Sequence, residues 1–505
     1  MRLGVAADER GPSGWLLRAV ERAAGLPFVS LCAIVQLPGV QLPGVQLPGI
    51  RSPGIRSTGD EQGDDAGALD ERVAAETLGV PVLCAERDAR AIARDIDLLV
   101  VPDDLPLPQT LLGIRALEVW RISSRDARLP LDALFEACRL TEVRVEVLRP
   151  GEPEPVYRAV IRTDLSIRPG LYRRQARLAM LPALARALCH RPVATSTVGE
   201  LDAVCDGLSL PRRSVLSLAG NVRDLARSHD WHLAWRRSEA ASLPGIGGDS
   251  SSPFALVHLP TGGSAADPFL VERDGLRHLF YEHVPQGARK GELACGTIDE
   301  EGRLHDCRTI MSRDVHLSYP FVFAWDGEYW MIPESSEARA VSLYRATVFP
   351  HAWTLEKPLL HGYPMVDATL HQQDGLWYMF VTIDETAGGA EEALFLFMAE
   401  TPLGPFEPHP ANPIHTDVRD MRSAGRMVRA DGRLYRPAQD GSRGYGSALA
   451  LQEVLALSPD RYAERRAGSF RPSGFRGLTG CHSLACAGPL QVIDLRLRRW
   501  LRPPG

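Results

Sequence analysis

The sequence predicts a multidomain chain, an N-terminal α/β domain with a parallel sheet followed by an all-β five-bladed β-propeller. Three observations carry that expectation. The 505 residues exceed what one hydrophobic core organises, so two domains are the working number. The first 190 or so residues alternate strand-like and helix-like segments, the order that builds a parallel sheet. Beyond residue 260 the helical period stops, and a strand–turn–strand unit recurs four times around an Asp-Gly pair, with a looser fifth copy.

Composition bounds the function before any motif does. Hydrophobic residues make up 45%, charged residues 24%, and the formal net charge is −6. This balance lacks the basic excess of nucleic-acid or anionic-membrane binders. No apolar run approaches the eighteen or so residues of a membrane span, so membrane insertion is not expected. The N-terminal Met1-Arg2-Leu3-Gly4-Val5 reads as a short strand without the apolar core of a secretion signal, and a cytoplasmic location is expected. The nine cysteines contain no CxxC pair, which argues against a zinc site and for reduced thiols; Cys481 and Cys486 read as lying on one strand.

In the N-terminal domain, residues 1–190, strands are expected at 3–7, 29–35, 96–101, 141–148 and 157–163. Helices are expected at 15–24, 87–94 and 171–188. Residues 36–59 repeat QLPGV QLPGV QLPGI RSPGI RSTG, whose Pro-Gly pairs stop helix and strand alike and mark a low-complexity surface insertion. Gly11-Pro12-Ser13-Gly14 is not a dinucleotide-binding GxGxxG loop. Residues 191–253 read as a connector with one helical piece at 214–228 and one outer strand around Trp231 and Trp235. The propeller is expected over 254–505.

The four clear repeats are ADPFLVERDGLRHLFYE, SYPFVFAWDGEYWMIPE, VDATLHQQDGLWYMFVT and SAGRMVRADGRLYRPAQ. Each pivots on a hairpin-forming dipeptide: Asp274-Gly275, Asp326-Gly327, Asp374-Gly375 and Asp431-Gly432. Seven residues before these turns stand Asp267, Tyr319, Asp367 and Ala424; eight after them stand Glu282, Glu334, Thr382 and Gln439. The fifth unit, CHSLACAGPLQVIDL, places Ala487-Gly488 at its turn and His482 near its strand start. Inner strands of a propeller line its central channel, so residues at their starts converge at one mouth. Two acids, Asp267 and Asp367, at one repeat position in different blades exceed what local turn chemistry requires.

The ADPF and VDAT strand starts and the fivefold spacing resemble the arabinanase/levansucrase superfamily, glycoside hydrolase family 43 in particular. More specifically, HLSYPFVF…MIPESS…LYRA…FP with TPLGPFEPHPANP and RPAQD resembles the N-terminal propeller of plant glucosamine inositolphosphorylceramide transferases and their bacterial relatives, over about residues 255–500. The family 43 resemblance implies a general base at Asp267 and a pKa-tuning acid at Asp367. The general acid expected in blade four is missing, because Arg422-Ser423-Ala424-Gly425-Arg426 occupies its place. Glu334 and Glu282 stand as displaced acid candidates.

A phosphate leaving group needs positive charge instead of a proton, so glycosyl transfer from a nucleotide sugar in surface glycan or glycolipid assembly is the leading expectation. Lys290, Arg345, Arg422, Arg426 and Arg436 are the candidate phosphate-binding cations, and Tyr319 and Trp330 the candidate apolar faces for the sugar. A non-catalytic glycan-binding or scaffolding propeller and a hydrolase with a displaced acid are the alternatives. No cofactor is required. The resemblance leaves room for a divalent cation in the channel near His482.

The segment from Gly113 to Ile122 and the 156–167 stretch with its following helix resemble a formyltransferase domain. Such enzymes use an Asn-x-His pair, yet the first asparagine of the chain is Asn221. A degenerate scaffold or a domain that docks a protein partner is therefore expected of this half.

Overall fold

The computed structural model describes residues 1–7, 30–36, 82–84, 88–102, 109–112, 117–124, 140–148 and 154–162 in the first half, with helical positions at 16, 19, 20, 180, 183, 184 and 186–188 and an isolated position at 114. In the second half it describes 227–238, 243–246, 253–260, 262–384 and 392–500. Two compact units result, residues 1–137 with 141–193 and residues 138–140 with 194–505. No described helix is long and apolar enough to cross a membrane.

The first unit is built on strands β1 (Arg2–Ala7), β2 (Ser30–Gln36), β3 (Val82–Cys84), β4 (Leu98–Pro102), β5 (Glu118–Ser124), β6 (Leu140–Leu148) and β7 (Glu154–Arg162). Their order is β3-β2-β1-β4-β5-β6-β7. The first five are parallel, as the alternating pattern predicts, and β6 runs antiparallel to β5. All five residues of β4 are buried, the signature of a strand covered on both faces. Helix α1 (Ala89–Asp95) places Ile92 against that sheet. On the other face Leu16, Ala19, Val20, Met180, Ala183 and Leu184 join the core. Gln36 closes β2, so the repeat insertion begins one residue inside a strand; its remainder lies outside the described residues.

The second unit is a ring of five sheets. Blade one comprises β10 (Ser264–Arg273), β11 (Leu276–Val284), β12 (Glu292–Ile298) and β13 (Leu304–Met311). Blade two comprises β14 (Ser318–Trp325), β15 (Glu328–Glu334), β16 (Ala340–Val348) and β17 (Ala352–His361). Blade three comprises β18 (Met365–Gln373), β19 (Leu376–Asp384), β20 (Glu392–Ala399) and β21 (Glu407–Pro408). Blade four comprises β22 (Val428–Ala430), β23 (Arg433–Asp440), β24 (Ala448–Leu457) and β25 (Tyr462–Phe470).

The fifth blade closes the ring from both ends of the unit. β26 (Leu478–Gly480) and β27 (Leu484–Ala487) pair β28 (Leu490–Trp500), and β28 pairs β8 (Arg227–Arg237), which carries β9 (Ala255–Leu256) on its outer edge. The outer strand expected in 191–253 is thus β8, matched to β28 over eleven residue pairs from Arg237–Leu490 to Arg227–Trp500. Residues 227 and 228, expected at the end of a helix, lie in this strand; the rest of that expected helix lies outside the described residues.

Each Asp-Gly pair turns with both residues at positive φ, from Asp274 at 52° and Gly275 at 77° to Asp431 at 47° and Gly432 at 73°. These are type I′ turns, whose twist matches the flanking strands. In blade five the Ala487–Leu490 pairing makes Gly488 and Pro489 the loop residues, one position later than the repeat count suggested. Cys481 follows β26 and Cys486 lies in β27, so the two do not share a strand. Between blades the core is aromatic: Phe269 meets Tyr319 and Phe321 edge-on at 4.8 and 5.6 Å, and Phe323 meets Trp377 at 6.0 Å.

Candidate active site

Asp267, Tyr319 and Asp367 share an unusual backbone as well as a repeat position. Their φ angles are 50°, 45° and 56°, in the left-handed region that non-glycine residues seldom occupy. At each, the pairing of the first two strands slips, between Ala266 and Phe269, Ser318 and Phe321, and Val366 and Thr369. A bulge of this kind re-aims one side chain out of the pleat. Here it turns the three side chains toward the axis at the strand-start end. Strain repeated in three blades costs roughly 1–3 kcal/mol per residue and persists where packing or function holds it.

Tyr319 spans the channel. From blade two its hydroxyl reaches Thr369 Oγ1 in blade three at 2.7 Å and accepts from Gly425 N, just before blade four, at 2.8 Å. Since Gly425 donates, the phenol proton goes to Thr369, whose own hydroxyl donates to the Asp367 carbonyl at 3.1 Å. The ring is fully buried. Tyr319 is therefore a partition across the channel and not the open apolar platform expected for a sugar.

Asp267 lies above that partition on the blade-five side. Ser483 Oγ donates to its Oδ1 at 2.6 Å, Tyr319 N to its Oδ2 at 3.3 Å, and His482 Nε2 is 3.6 Å from Oδ1. Burial, opposed by His482 and reinforced by the charges of Glu282, Asp494 and Asp367, pushes the Asp267 carboxyl up to about 7. Behind it Asp494, fully buried, accepts from the backbone of His482 at 2.7 Å, Ser483 at 3.1 Å and Asp267 at 3.2 Å. His482 Nδ1 lies 2.6 Å from Asp494 Oδ2. Burial alone would depress this imidazole, yet Asp494 and Asp267 raise it to about 9, so it is charged at neutral pH. Trp231 stacks on its ring at 4.1 Å, and its Nε2 lies 3.0 Å from the Tyr445 hydroxyl.

Asp367 occupies the opposite side. Its Oδ2 accepts from Arg422 Nε at 2.8 Å and Gln439 Nε2 at 3.2 Å, while its backbone N–H donates to Glu334 Oε2 at 3.2 Å. Burial and the neighbouring Asp367 charge, only partly offset by Arg422, hold the Glu334 carboxyl well above its ordinary range. Three carboxyl groups from three strands thus meet at one mouth in different surroundings: Glu334 held well above its ordinary range, Asp367 clamped by a guanidinium, and Asp267 pushed up to about 7. Environments that separate neighbouring acids in this way are how acid and base roles are divided.

The remaining expected site residues divide. Glu282 lies on β11 with its Oε1 3.1 Å from His316 Nε2, and that pairing raises the imidazole pKa. Lys290 is exposed in the loop joining β11 and β12, on the same face as the mouth. Trp330 is not in the funnel: it is packed in the blade-two core with Nε1 donating to the Trp325 carbonyl at 3.3 Å. Arg345 is a surface residue of β16 between Glu328 at 3.2 Å and Glu356 at 3.6 Å. Arg436, fully buried, is paired with Glu464 at 2.5 Å and belongs to the blade-four interior. Arg426 packs over the Phe321 ring at 4.5 Å, below the Tyr319 partition. Of the five expected cations, Arg422 alone touches the acid cluster.

Sequence reasoning assigned no role to Asp494, Ser483, Gln439, Tyr445, Trp231 and His316. For Asp494 there was a signal, a lone acid inside the apolar run Val492-Ile493-Asp494-Leu495. Ligand atoms of Asp267, His482 and Asp494 lie within 4.8 Å of one another, close enough to converge on a cation. In the structure Asp494 and Asp267 accept from backbone N–H groups and from Ser483, and the charged His482 faces both carboxyls, so the three hold one another as an ion triad.

Gly425 shows how tightly blades four and five meet here. Its φ is 126°, and a Cβ on it would lie 2.1 Å from the Leu484 carbonyl oxygen, beside the Leu484 N to Ala424 O bond of 2.8 Å. Gly425→Ala is expected to cost roughly 3 kcal/mol, read as a lower denaturant midpoint at unchanged slope.

These features define a five-bladed propeller with a carboxylate cluster at its strand-start mouth. Residues 258–470 match the family model described as glucosamine inositolphosphorylceramide transferase 1, N-terminal, so the propeller is of the type read from its motifs. The chain is 35% identical over 224 residues to glucosamine inositolphosphorylceramide transferase 1 of Oryza sativa subsp. japonica, covering 42% of this chain and 30% of that protein. It is 35% identical over 204 residues to the protein of the same name from Arabidopsis thaliana, covering 39% of this chain and 26% of that one. The chain thus spans less than a third of these relatives. Among solved structures, the GH43 BlXynB protein of Bacillus licheniformis is 14% identical with a TM-score of 0.34, covering 50% of this chain and 61% of that one.

Proposed function

We propose that the propeller mouth is a glycosyl-transfer site that takes an activated sugar and passes it to a hydroxyl acceptor. The observation that carries this reading is the different settings of three converging carboxyls: Asp367 clamped by Arg422, Glu334 held well above its ordinary range, and Asp267 pushed up to about 7. In the reaction the bond from the anomeric carbon to the leaving group breaks, the acceptor oxygen bonds to that carbon, and the acceptor proton goes to Asp267. Asp367, fixed by Arg422 and Gln439, holds sugar hydroxyls. A phosphate leaving group departs without a proton; Arg422 is the cation at hand to meet it. The transferase names of the plant relatives favour transfer over cleavage.

A second reading has its own support. Glu334, whose carboxyl burial and the Asp367 charge push well above its ordinary range, stands in blade two as a candidate for the general acid that blade four lacks, and with water as acceptor the same site would hydrolyse a glycoside. For the N-terminal unit we propose a docking role for a protein partner; the lack of an Asn-x-His pair in its sequence weighs against formyl transfer there.

Thermal-shift screening of the whole chain against nucleotide sugars and aryl glycosides tests the mouth as a sugar site, since a ligand selective for the folded state raises the melting temperature. A sugar-dependent rise that Asp367→Asn reduces is expected. A sugar that binds equally well to wild type, Asp367→Asn and Asp267→Asn, with no turnover, would make the propeller a glycan-binding module.

A further inference from the structure

The channel has a second chamber on the far side of Tyr319. Three to four residues beyond Asp267, Tyr319 and Asp367 on the same inner strands, roughly 10 Å along a strand, lies a cavity of about 300 Å³ framed by β10, β14 and β18 and by Arg426-Met427 leading into β22. It opens toward the Asp-Gly hairpins, the end opposite the carboxylate mouth. Val271, Phe321, Phe323, Leu370 and Trp377 contribute its apolar wall.

One charge is set into this wall. Arg426 is half-buried, and its guanidinium rests on the Phe321 ring with its carbon 4.5 Å from the centroid. Among the described residues no carboxylate or carbonyl accepts from it. Its neighbours in blade four make a clear contrast, because Arg422 is bound to Asp367 and Arg436 to Glu464. Loss of hydration lowers its pKa to about 10, so it stays charged at neutral pH, with its guanidinium edge open to a ligand oxygen in place of water. The ring face satisfies only the flat side of the guanidinium; the edge N–H groups, which prefer a bidentate oxygen pair, remain. His371, another lining residue, keeps its buried Nε2 without a partner, and burial lowers that imidazole to about 4, so it is neutral and adds no competing charge.

We infer that this hairpin-side chamber is an anion-binding pocket for a small carboxylate with a flat apolar body, held edge-on by Arg426 and packed between Phe321 and Trp377. The volume stands at the lower end of the range for small-molecule sites. A fully apolar ligand would leave Arg426 unpaired, and a bare inorganic anion would leave the aromatic wall unfilled. The Tyr319 partition separates this pocket from the acid cluster, so the inference stands apart from the reading of the mouth.

Calorimetric titration of the whole chain with benzoate, and with benzamide as its neutral isostere, tests it. Benzoate is expected to bind at least tenfold more tightly than benzamide. Arg426→Gln should remove that preference, and Arg426→Lys, which keeps the charge without the fork, should weaken benzoate while retaining selectivity over the amide. Asp367→Asn, on the other side of Tyr319, should leave benzoate binding unchanged. Equal affinity for benzoate and benzamide, no benzoate binding at millimolar concentration, or undiminished binding in Arg426→Gln would each overturn the inference. Should Arg426→Gln fail to fold, the Lys variant and the benzoate-to-benzamide ratio in the wild type still decide.

Discussion

Asp494→Asn is expected to cost the propeller about 3–5 kcal/mol, the scale for breaking a buried charge pair and leaving one partner uncompensated. Asp494 accepts from three backbone N–H groups, those of Asp267, His482 and Ser483, and faces the charged imidazole of His482 at 2.6 Å. These contacts tie the start of blade one to blade five, where β8 and β28 close the ring. The pH signature follows from the sign of the His482 shift. Its folded pKa of about 9 lies above the ordinary 6.5, so its contribution is fully present below pH 6.5 and is lost as pH rises through 9. Wild-type stability should therefore fall across that window, and Asp494→Asn should be both less stable and flatter there. Thermal unfolding at several pH values checks both parts.

Asp267→Asn is expected to lower turnover by roughly 10²–10⁴, the range for losing a general base, while folding is retained. The carboxylate accepts from Ser483 Oγ on one oxygen at 2.6 Å and from Tyr319 N on the other at 3.3 Å; the amide keeps the Tyr319 bond with its single oxygen, and its NH2 donates to Ser483 Oγ once that hydroxyl turns round. It cannot take the acceptor proton. The stability effect has its own sign: a carboxyl raised from 3.8 to about 7 favours the folded state most below its unfolded value, and that contribution is lost as pH rises through 7. Removing it should then leave the variant no less stable, relative to wild type, at pH 8 than at pH 5. Lost turnover with retained stability at pH 8 separates a catalytic role from a structural one.

Much of the propeller was legible because its turns are local. Asp-Gly demands positive φ at two successive residues, and four such pairs in one register fixed the hairpins and, by counting, the equivalence of Asp267, Tyr319 and Asp367. The bulges that aim those side chains were not legible, since register slips come from packing between blades. For the same reason Tyr319, an aromatic at a mouth position, reads as a platform until its hydroxyl is seen bonded to Thr369 and Gly425 across the axis. The arginines were the least readable: their stems are long, and only tertiary neighbours decide that Arg436 meets Glu464, Arg345 meets Glu328, and Arg422 meets Asp367. Ring closure by β8 was hidden because its partner β28 begins more than 250 residues later in the chain.

The central claim is that Asp267 works on sugar chemistry at the mouth as a base titrating near neutrality. The most direct test is kcat/KM against pH for wild type and Asp267→Asn on the sugar donor that the screen identifies. The predicted wild-type profile climbs about tenfold per pH unit up to an inflection near 7, and the variant loses that limb together with most of its rate. An inflection near 7 that persists in Asp267→Asn, or a variant as fast as wild type, would contradict it.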